Sequence, residues 1–255
     1  MENTAITGKK IFFLYPQTIV LNEVVHDLIL QEFEVYTVQD HSTLRRVLKR
    51  FPDSIVFVNL DEKTVPEQEW EAWIRDIMAD PDTGEVGIGV LSSNADDEVK
   101  EKYLTQINVT CGFIHISTDL KKTVAHIARI LIQQNAMGRR KYIRITTNDA
   151  MTTANMPVDG RFISASIHDI SSAGFSCTFL HDPGFQKGLL ITDIQLKLQT
   201  MLMRTEAIVV GSHTDESMQV YVFVFTPRTD SEVRFKIRRY IQTVIQSNMD
   251  KELKK

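Results

Sequence analysis

Cysteine is scarce in this chain: Cys111 and Cys177 fall in different halves and show no Cys-x-x-Cys spacing. That argues against a disulfide framework and a thiolate metal site, and it predicts free thiols in a reducing compartment, the cytoplasm. Long hydrophobic runs are missing too. No stretch approaches the roughly 20 apolar residues that span a bilayer, so membrane insertion is not expected. The opening segment, MENTAITGKKIFFLYP, has no basic region followed by a long apolar stretch and a small-residue cleavage site, so no secretory signal is expected. Glycine loops for phosphates are absent: neither G-x-G-x-x-G nor G-x-x-x-x-G-K-[ST] follows the first strand-like run. The seven histidines show no H-E-x-x-H and no paired metal spacing. Ser171 lacks the context of a nucleophile elbow. The chain therefore reads as a non-enzyme, with no catalytic residues, no metal ligands and no cofactor.

What is present describes a folded protein. With 255 residues, 43% apolar and 24% charged, the chain is not a disordered one and has length enough for two cores. The net charge of −4 is unevenly spread. Residues 1–138 carry 13 Lys and Arg against 21 Asp and Glu, a balance of −8; residues 139–255 carry 16 against 12, a balance of +4. An acidic half followed by a basic half implies two units with different tasks. The basic half suits an anionic ligand, but +4 is too weak to announce general nucleic-acid binding.

The first half alternates strand-like and helix-like segments. Strand runs are KIFFLYP (10–16), EVYTVQD (34–40), SIVFVNL (54–60), VGIGVLS (86–92) and CGFIHIS (111–117). Between and after them, 22–33, 42–51, 66–80, 96–107 and 118–134 have helical spacing, with Pro66 placed for a first turn. Five such pairs predict an α/β sandwich whose parallel sheet is buried on both faces. Trp70 and Trp73, at i and i+3, read as packing residues. The pattern changes at Gly138. IRITTNDA, GRFISASIHDIS, GFSCTFL, TDIQLKL, MRTEAIVVGSH and QVYVFVFT predict an antiparallel barrel or sandwich. A final helix over 231–246 aligns Val233, Ile237, Tyr240, Ile241 and Val244 on one face. Its Arg234, Lys236, Arg238 and Arg239 read as the wet face. The domains expected are 1–137 and 138–255.

Two motifs in the second half carry chemistry. GRRKYIRI (138–145) holds Arg140 and Arg144 in an Arg-x-x-x-Arg pair, with Arg139 as an added donor. Guanidinium forks match phosphate oxygens and the acceptor edge of guanine, and they stack on purine planes. HDISSAGFS (168–176) holds Asp169, Ser171 and Gly174 as Asp-x-Ser-x-x-Gly. A carboxylate accepts from guanine N1 and N2, donors that adenine lacks. Ser171 lies on the same strand face two residues on, and Gly174 permits a tight turn and close backbone approach to a ligand. Each motif alone also has a plain reading, as a solvated basic linker and a capped turn. His168 adjoins Asp169, but strand alternation sends it to the opposite face, packed or solvated.

Together, in this order and spacing, the two motifs resemble the PilZ domain family over roughly residues 138–246. The resemblance implies a six-stranded antiparallel barrel with a closing C-terminal helix that binds cyclic di-GMP. By the same resemblance Arg140 and Arg144, with Arg139, grip phosphates and guanine faces, while Asp169 and Ser171 read guanine edges and Gly174 completes the motif. The strand QVYVFVFT (219–226) lacks the glycine that many members carry there. Outputs of the family include motility, adhesion, biofilm and virulence control, exerted here through a downstream protein partner that the N-terminal domain could contact. Ordering of the RRKYIR segment by an anionic dinucleotide would change conformation or domain arrangement.

The first half resembles the receiver domains of two-component signalling, but in degenerate form. A working receiver needs carboxylates after the first strand, an aspartate after the third, Ser or Thr after the fourth and Lys after the fifth. Here the first strand leads into Tyr15, Pro16 and Gln17, and the third into Asn59 with Asp61 two residues on. Ser92 or Ser93 supplies the hydroxyl, and His115 and Ser117 stand where the lysine belongs. The expectation is a receiver-like fold, non-phosphorylatable, kept for protein contact. The alternatives are a phosphorylation-dependent response regulator with a PilZ output, using Asp61, a PilZ scaffold that binds no nucleotide, and nucleic-acid binding through the last helix.

Overall fold

The computed structural model describes residues 8–16, 19–63, 65–94, 96–147, 151–215 and 218–254. The chain clusters into two compact units, Met1–Lys141 with Gln246–Lys255, and Tyr142–Ile245. In the first unit the elements are β1 (Lys10–Leu14), α1 (Ile19–Leu30), β2 (Val35–Val38), α2 (His41–Leu48), β3 (Ser54–Asn59), α3 (Glu67–Ala79), β4 (Gly87–Ser92), α4 (Asp97–Glu101), β5 (Phe113–His115) and α5 (Leu120–Gln133). Helix α4 runs on as a π turn, Lys102–Ile107, and stops at Asn108 in the left-handed region.

The strands form a parallel sheet of order β2-β1-β3-β4-β5. Ile11 stands opposite Val35 on one side and Ile55 on the other. Every residue of β3 is buried, as a central strand covered on both faces requires. Ile11, Phe13, Leu28, Phe57, Ile127 and Leu131 build the core beneath α1 and α5. Trp70 and Trp73 are buried with rings 6.3 Å apart, as packing residues should be. On the edge strand β2, the Gln246 amide accepts from Thr37 N–H and donates to Thr37 C=O, both at 3.0 Å, so these edge groups are satisfied.

The second unit contains β6 (Arg144–Thr146), β7 (Thr152–Val158), β8 (Arg161–Ser171), β9 (Gly174–Phe179), β10 (Leu190–Leu198), β11 (Met201–Asp215), β12 (Met218–Phe225) and most of α6 (Ser231–Leu253). All pairings are antiparallel, in the order β6-β8-β7-β10-β11-β12-β9, and β8 also pairs with β9. Strands β7 to β12 thus close into a six-stranded barrel, with β6 laid on β8 as an additional strand. Its interior is filled by Ala154, Met156, Ile167, Cys177, Leu196 and Phe223, all buried. Helix α6 closes the barrel through Ile237, Tyr240 and Ile241, and the Tyr240 hydroxyl lies 3.0 Å from Thr152 Oγ1.

One stave differs from the sequence reading. The run IRITTNDA contributes three residues, Arg144–Thr146, and these lie outside the closed ring; residues 148–150 lie outside the described ones. The stave is instead TTANMPV, disguised by Asn155 and Pro157. Pairing with β10 ends at Asn155, so Pro157 lies beyond that ladder and its missing N–H costs no bond there. The overlooked signal is Asp159-Gly160, both at positive φ (47° and 78°), the two-residue turn that joins β7 to β8. No helix among the described residues is long and apolar enough to cross a membrane.

Candidate ligand-binding site

The Asp-x-Ser-x-x-Gly motif forms the end of β8, a two-residue turn at Ser172 and Ala173, and the start of β9, with Ser171 paired to Gly174. On the other edge of β8, Arg144 stands opposite Ser171 and Thr146 opposite Asp169. Directly opposed residues share a face. Ile145 and Ile170 therefore point into the core, while Arg144, Asp169 and Ser176 share the outer wall. The Asp169 carboxylate is fixed from two sides. Ser176 Oγ donates to Oδ2 at 2.7 Å, and Arg144 Nη1 lies 3.5 Å from Oδ1. The Arg144 and Asp169 side chains stay 44% and 26% exposed. An ion pair this open to water contributes about 0–1 kcal/mol, so a ligand can displace it at little cost.

Ser171 and Gly174 have structural tasks in this arrangement. Ser171 is buried; its hydroxyl donates to Gly174 C=O at 3.2 Å and accepts from Ala173 N–H at 3.3 Å, stapling the turn. Gly174 does not adopt positive φ, so the tight-turn explanation fails. Its lack of a side chain admits a neighbouring strand: a Cβ there would lie 2.0 Å from the Phe223 carbonyl oxygen on β12. Arg139 and Arg140 are exposed and belong to the close of the first unit. The second unit by itself brings together Arg144, Asp169, Ser171 and Gly174.

Two residues depart from the faces that local spacing assigns them. Between Ile167, opposite Cys177, and Asp169, opposite Ser176, strand β8 carries one extra residue, His168. This β-bulge cancels the alternation and turns His168 toward the same outer face as Asp169. There its Nε2 lies 2.9 Å from Thr178 Oγ1. Arg234 is not on a wet face. Its guanidinium donates to Ser172 C=O at 3.1 Å and Thr226 C=O at 2.8 Å, tying α6 to the motif turn. Lys236 pairs with Glu232 one turn back, and Arg239 is exposed, as expected of a solvated stripe.

In the first unit, the carboxylate considered for phosphorylation is already engaged. Asp61 accepts from Ser92 Oγ at 2.8 Å and Ser93 N–H at 2.7 Å. Buried Asn59, at the end of β3, donates to Tyr15 C=O at 3.0 Å. His115 Nε2 lies 3.2 Å from Ser93 C=O. Gln17 lies outside the described residues. Among the described residues no cluster of three or more His, Cys, Asp or Glu side chains could hold a metal.

The fold class is therefore a (βα)5 receiver-like sandwich joined to an antiparallel six-stranded barrel with a closing helix. No protein-family model and no curated protein matches the chain. Among solved structures it is similar to the PilZ domain of YcgR from Escherichia coli with c-di-GMP, at 16% identity and TM-score 0.38, over 44% of this chain and 96% of that one. It is similar also to the MrkH–c-di-GMP complex from K. pneumonia, at 18% identity and TM-score 0.41, over 46% of this chain and 57% of that one. A signal receiver domain from Pseudomonas fluorescens matches at 12% identity and TM-score 0.41, over 50% of this chain and 89% of that one. The match spans about half the length of the longer YcgR chain, 50%.

Proposed function

We propose that this protein is a cyclic di-GMP-binding effector that binds and reports its ligand without catalysis. The observation that carries the reading is the outer-wall pair of Arg144 and Asp169, a cation and a carboxylate side by side and still open to solvent. A cyclic dinucleotide offers both complements, phosphate oxygens for guanidinium and the guanine N1 and N2 donors for carboxylate. Asp169 keeps its bond from Ser176 while its Oδ1, loosely paired at 3.5 Å, is available for exchange. Arg139 and Arg140 add donors from the chain just before β6. Arg140 lies four positions before Arg144, a reach of roughly 13 Å of extended backbone. Ser171 and Gly174 frame the turn that presents Asp169. The proposed domains are 1–137 and 138–255, with the acidic first domain facing a downstream protein partner in the cytoplasm.

Binding would order the RRKYIR segment, neutralise its repelling charges and change the conformation or domain arrangement. Such a change follows only from a difference in ligand affinity between two states. The test is calorimetric titration of the full chain with cyclic di-GMP, GTP and cyclic di-AMP. Each charge-assisted bond is worth about 1.5–3 kcal/mol, so Arg140→Ala, Arg144→Ala or Asp169→Ala should weaken binding roughly ten- to a hundredfold. Asp61→Ala should leave it unchanged. No binding of cyclic di-GMP by the wild type would overturn the reading and favour a scaffold.

A further inference from the structure

The bulge in β8 has a consequence for the ligand. In a regular strand the residue before Asp169 would face the barrel core, yet Ile167 and Ile170 take the inward positions around it, both buried. His168 is left over and half-buried on the outer face. Ser176 and Thr178 lie two residues apart on one face of β9, alternating with inward Phe175 and Cys177. One fixes the carboxylate, the other the imidazole. Two residues of strand span about 6.6–6.8 Å, so the two groups would address separate points of one ligand.

We infer that His168 is a ligand-contacting residue of the barrel wall, an inference that rests on the cyclic di-GMP reading above. With Nε2 fixed by Thr178, the ring is oriented and Nδ1 is the atom left for a ligand. When the Thr178 hydroxyl donates to Nε2, the neutral ring carries its proton on Nδ1. That N–H suits an acceptor, and the purine edge opposite N1 and N2 presents two, N7 and O6. Asp169 thus takes the donor edge of a guanine and His168 its acceptor edge. Arg144, on β6, is the charged group beside Asp169. The β8 backbone at this point is held independently of any ligand, since Thr147 N–H donates to His168 C=O at 2.7 Å.

The experiment titrates the full-length wild type and the His168→Ala, His168→Gln and Thr178→Val variants with cyclic di-GMP. It also follows the imidazole nitrogens by NMR, with the His168 signal assigned by its loss in His168→Gln. One neutral hydrogen bond corresponds to a loss of roughly three- to tenfold, expected for His168→Ala. Gln, which keeps a donor, should recover most of it, and Thr178→Val should lose an intermediate amount by freeing the ring. In the wild type the Nδ1 resonance should shift on ligand addition. Affinity within about twofold of wild type for His168→Ala, or weakened binding without any shift of the His168 nitrogens, overturns the inference while leaving the cyclic di-GMP reading intact. A wild type that binds no cyclic di-GMP overturns both.

Discussion

Replacing Gly174 with alanine puts a methyl carbon 2.0 Å from the Phe223 carbonyl oxygen and 3.0 Å from the Val224 Cα. Neither atom can yield alone, because both belong to a strand paired along its length with β9 and β11. The start of β9 must move away, breaking the register at Gly174–Val224 and Phe175–Phe223. Two ladder hydrogen bonds at about 0.5–1.5 kcal/mol each are at risk. So is the stack of Phe175 on Phe223, with centroids 5.0 Å apart and planes at 10°, worth about 0.5–1.5 kcal/mol beyond its buried area. The sum is a loss of about 2–4 kcal/mol, a large part of the 5–15 kcal/mol that holds an ordinary domain together. For a unit of this size, each kcal/mol moves the melting temperature by about 4–8 °C. Thermal unfolding of ligand-free Gly174→Ala should therefore fall by roughly 10 °C or more. A melting temperature within about 2 °C of wild type, combined with lost ligand binding, would refute the strand-packing account and return Gly174 to the ligand.

Two further outcomes are expected. Arg234→Ala leaves the carbonyls of Ser172 and Thr226 without their charged donor; urea unfolding should show a loss of about 2–4 kcal/mol with an unchanged slope. Arg234→Lys should recover only part, since an ammonium lacks the fork that reaches both carbonyls. Tyr221 packs against Phe179 and Phe185 and donates to Asp182, and burial together with that carboxylate pushes its pKa up to about 12. The folded chain thus keeps a phenolic proton that the unfolded chain loses near pH 10, so this stability is present below pH 10 and fades toward pH 12. Melting temperatures from pH 9 to 12 should fall more steeply for wild type than for Tyr221→Phe; parallel curves would contradict the account.

The first unit is legible because its code is redundant. A run such as SIVFVN is apolar throughout, and helices such as Glu67–Ala79 show 3.6-residue spacing, so period and composition agree. The barrel is less legible. TTANMPV has few strand formers, and its place in the sheet comes from β8 and β10, partners that a local reading does not see. The last helix is legible in its apolar face, Ile237, Tyr240 and Ile241, and not at Arg234, whose partners lie on the motif turn and just past the end of β12.

Chemical type and local period are properties of the chain itself. The sequence alone therefore determined the two fold classes, the arginine pair, the carboxylate two residues before a serine, and the hairpin turn that follows them. Only the tertiary structure decided what those groups do for one another. Gly174 is required by a carbonyl some 50 residues on, Ser171 spends its hydroxyl on the turn because the turn closes on it, and His168 faces outward because β8 has one residue more than β9. Each of these depends on the pairing register between strands. Register is set by which apolar residues are buried together across the whole barrel, and no window of sequence contains that information.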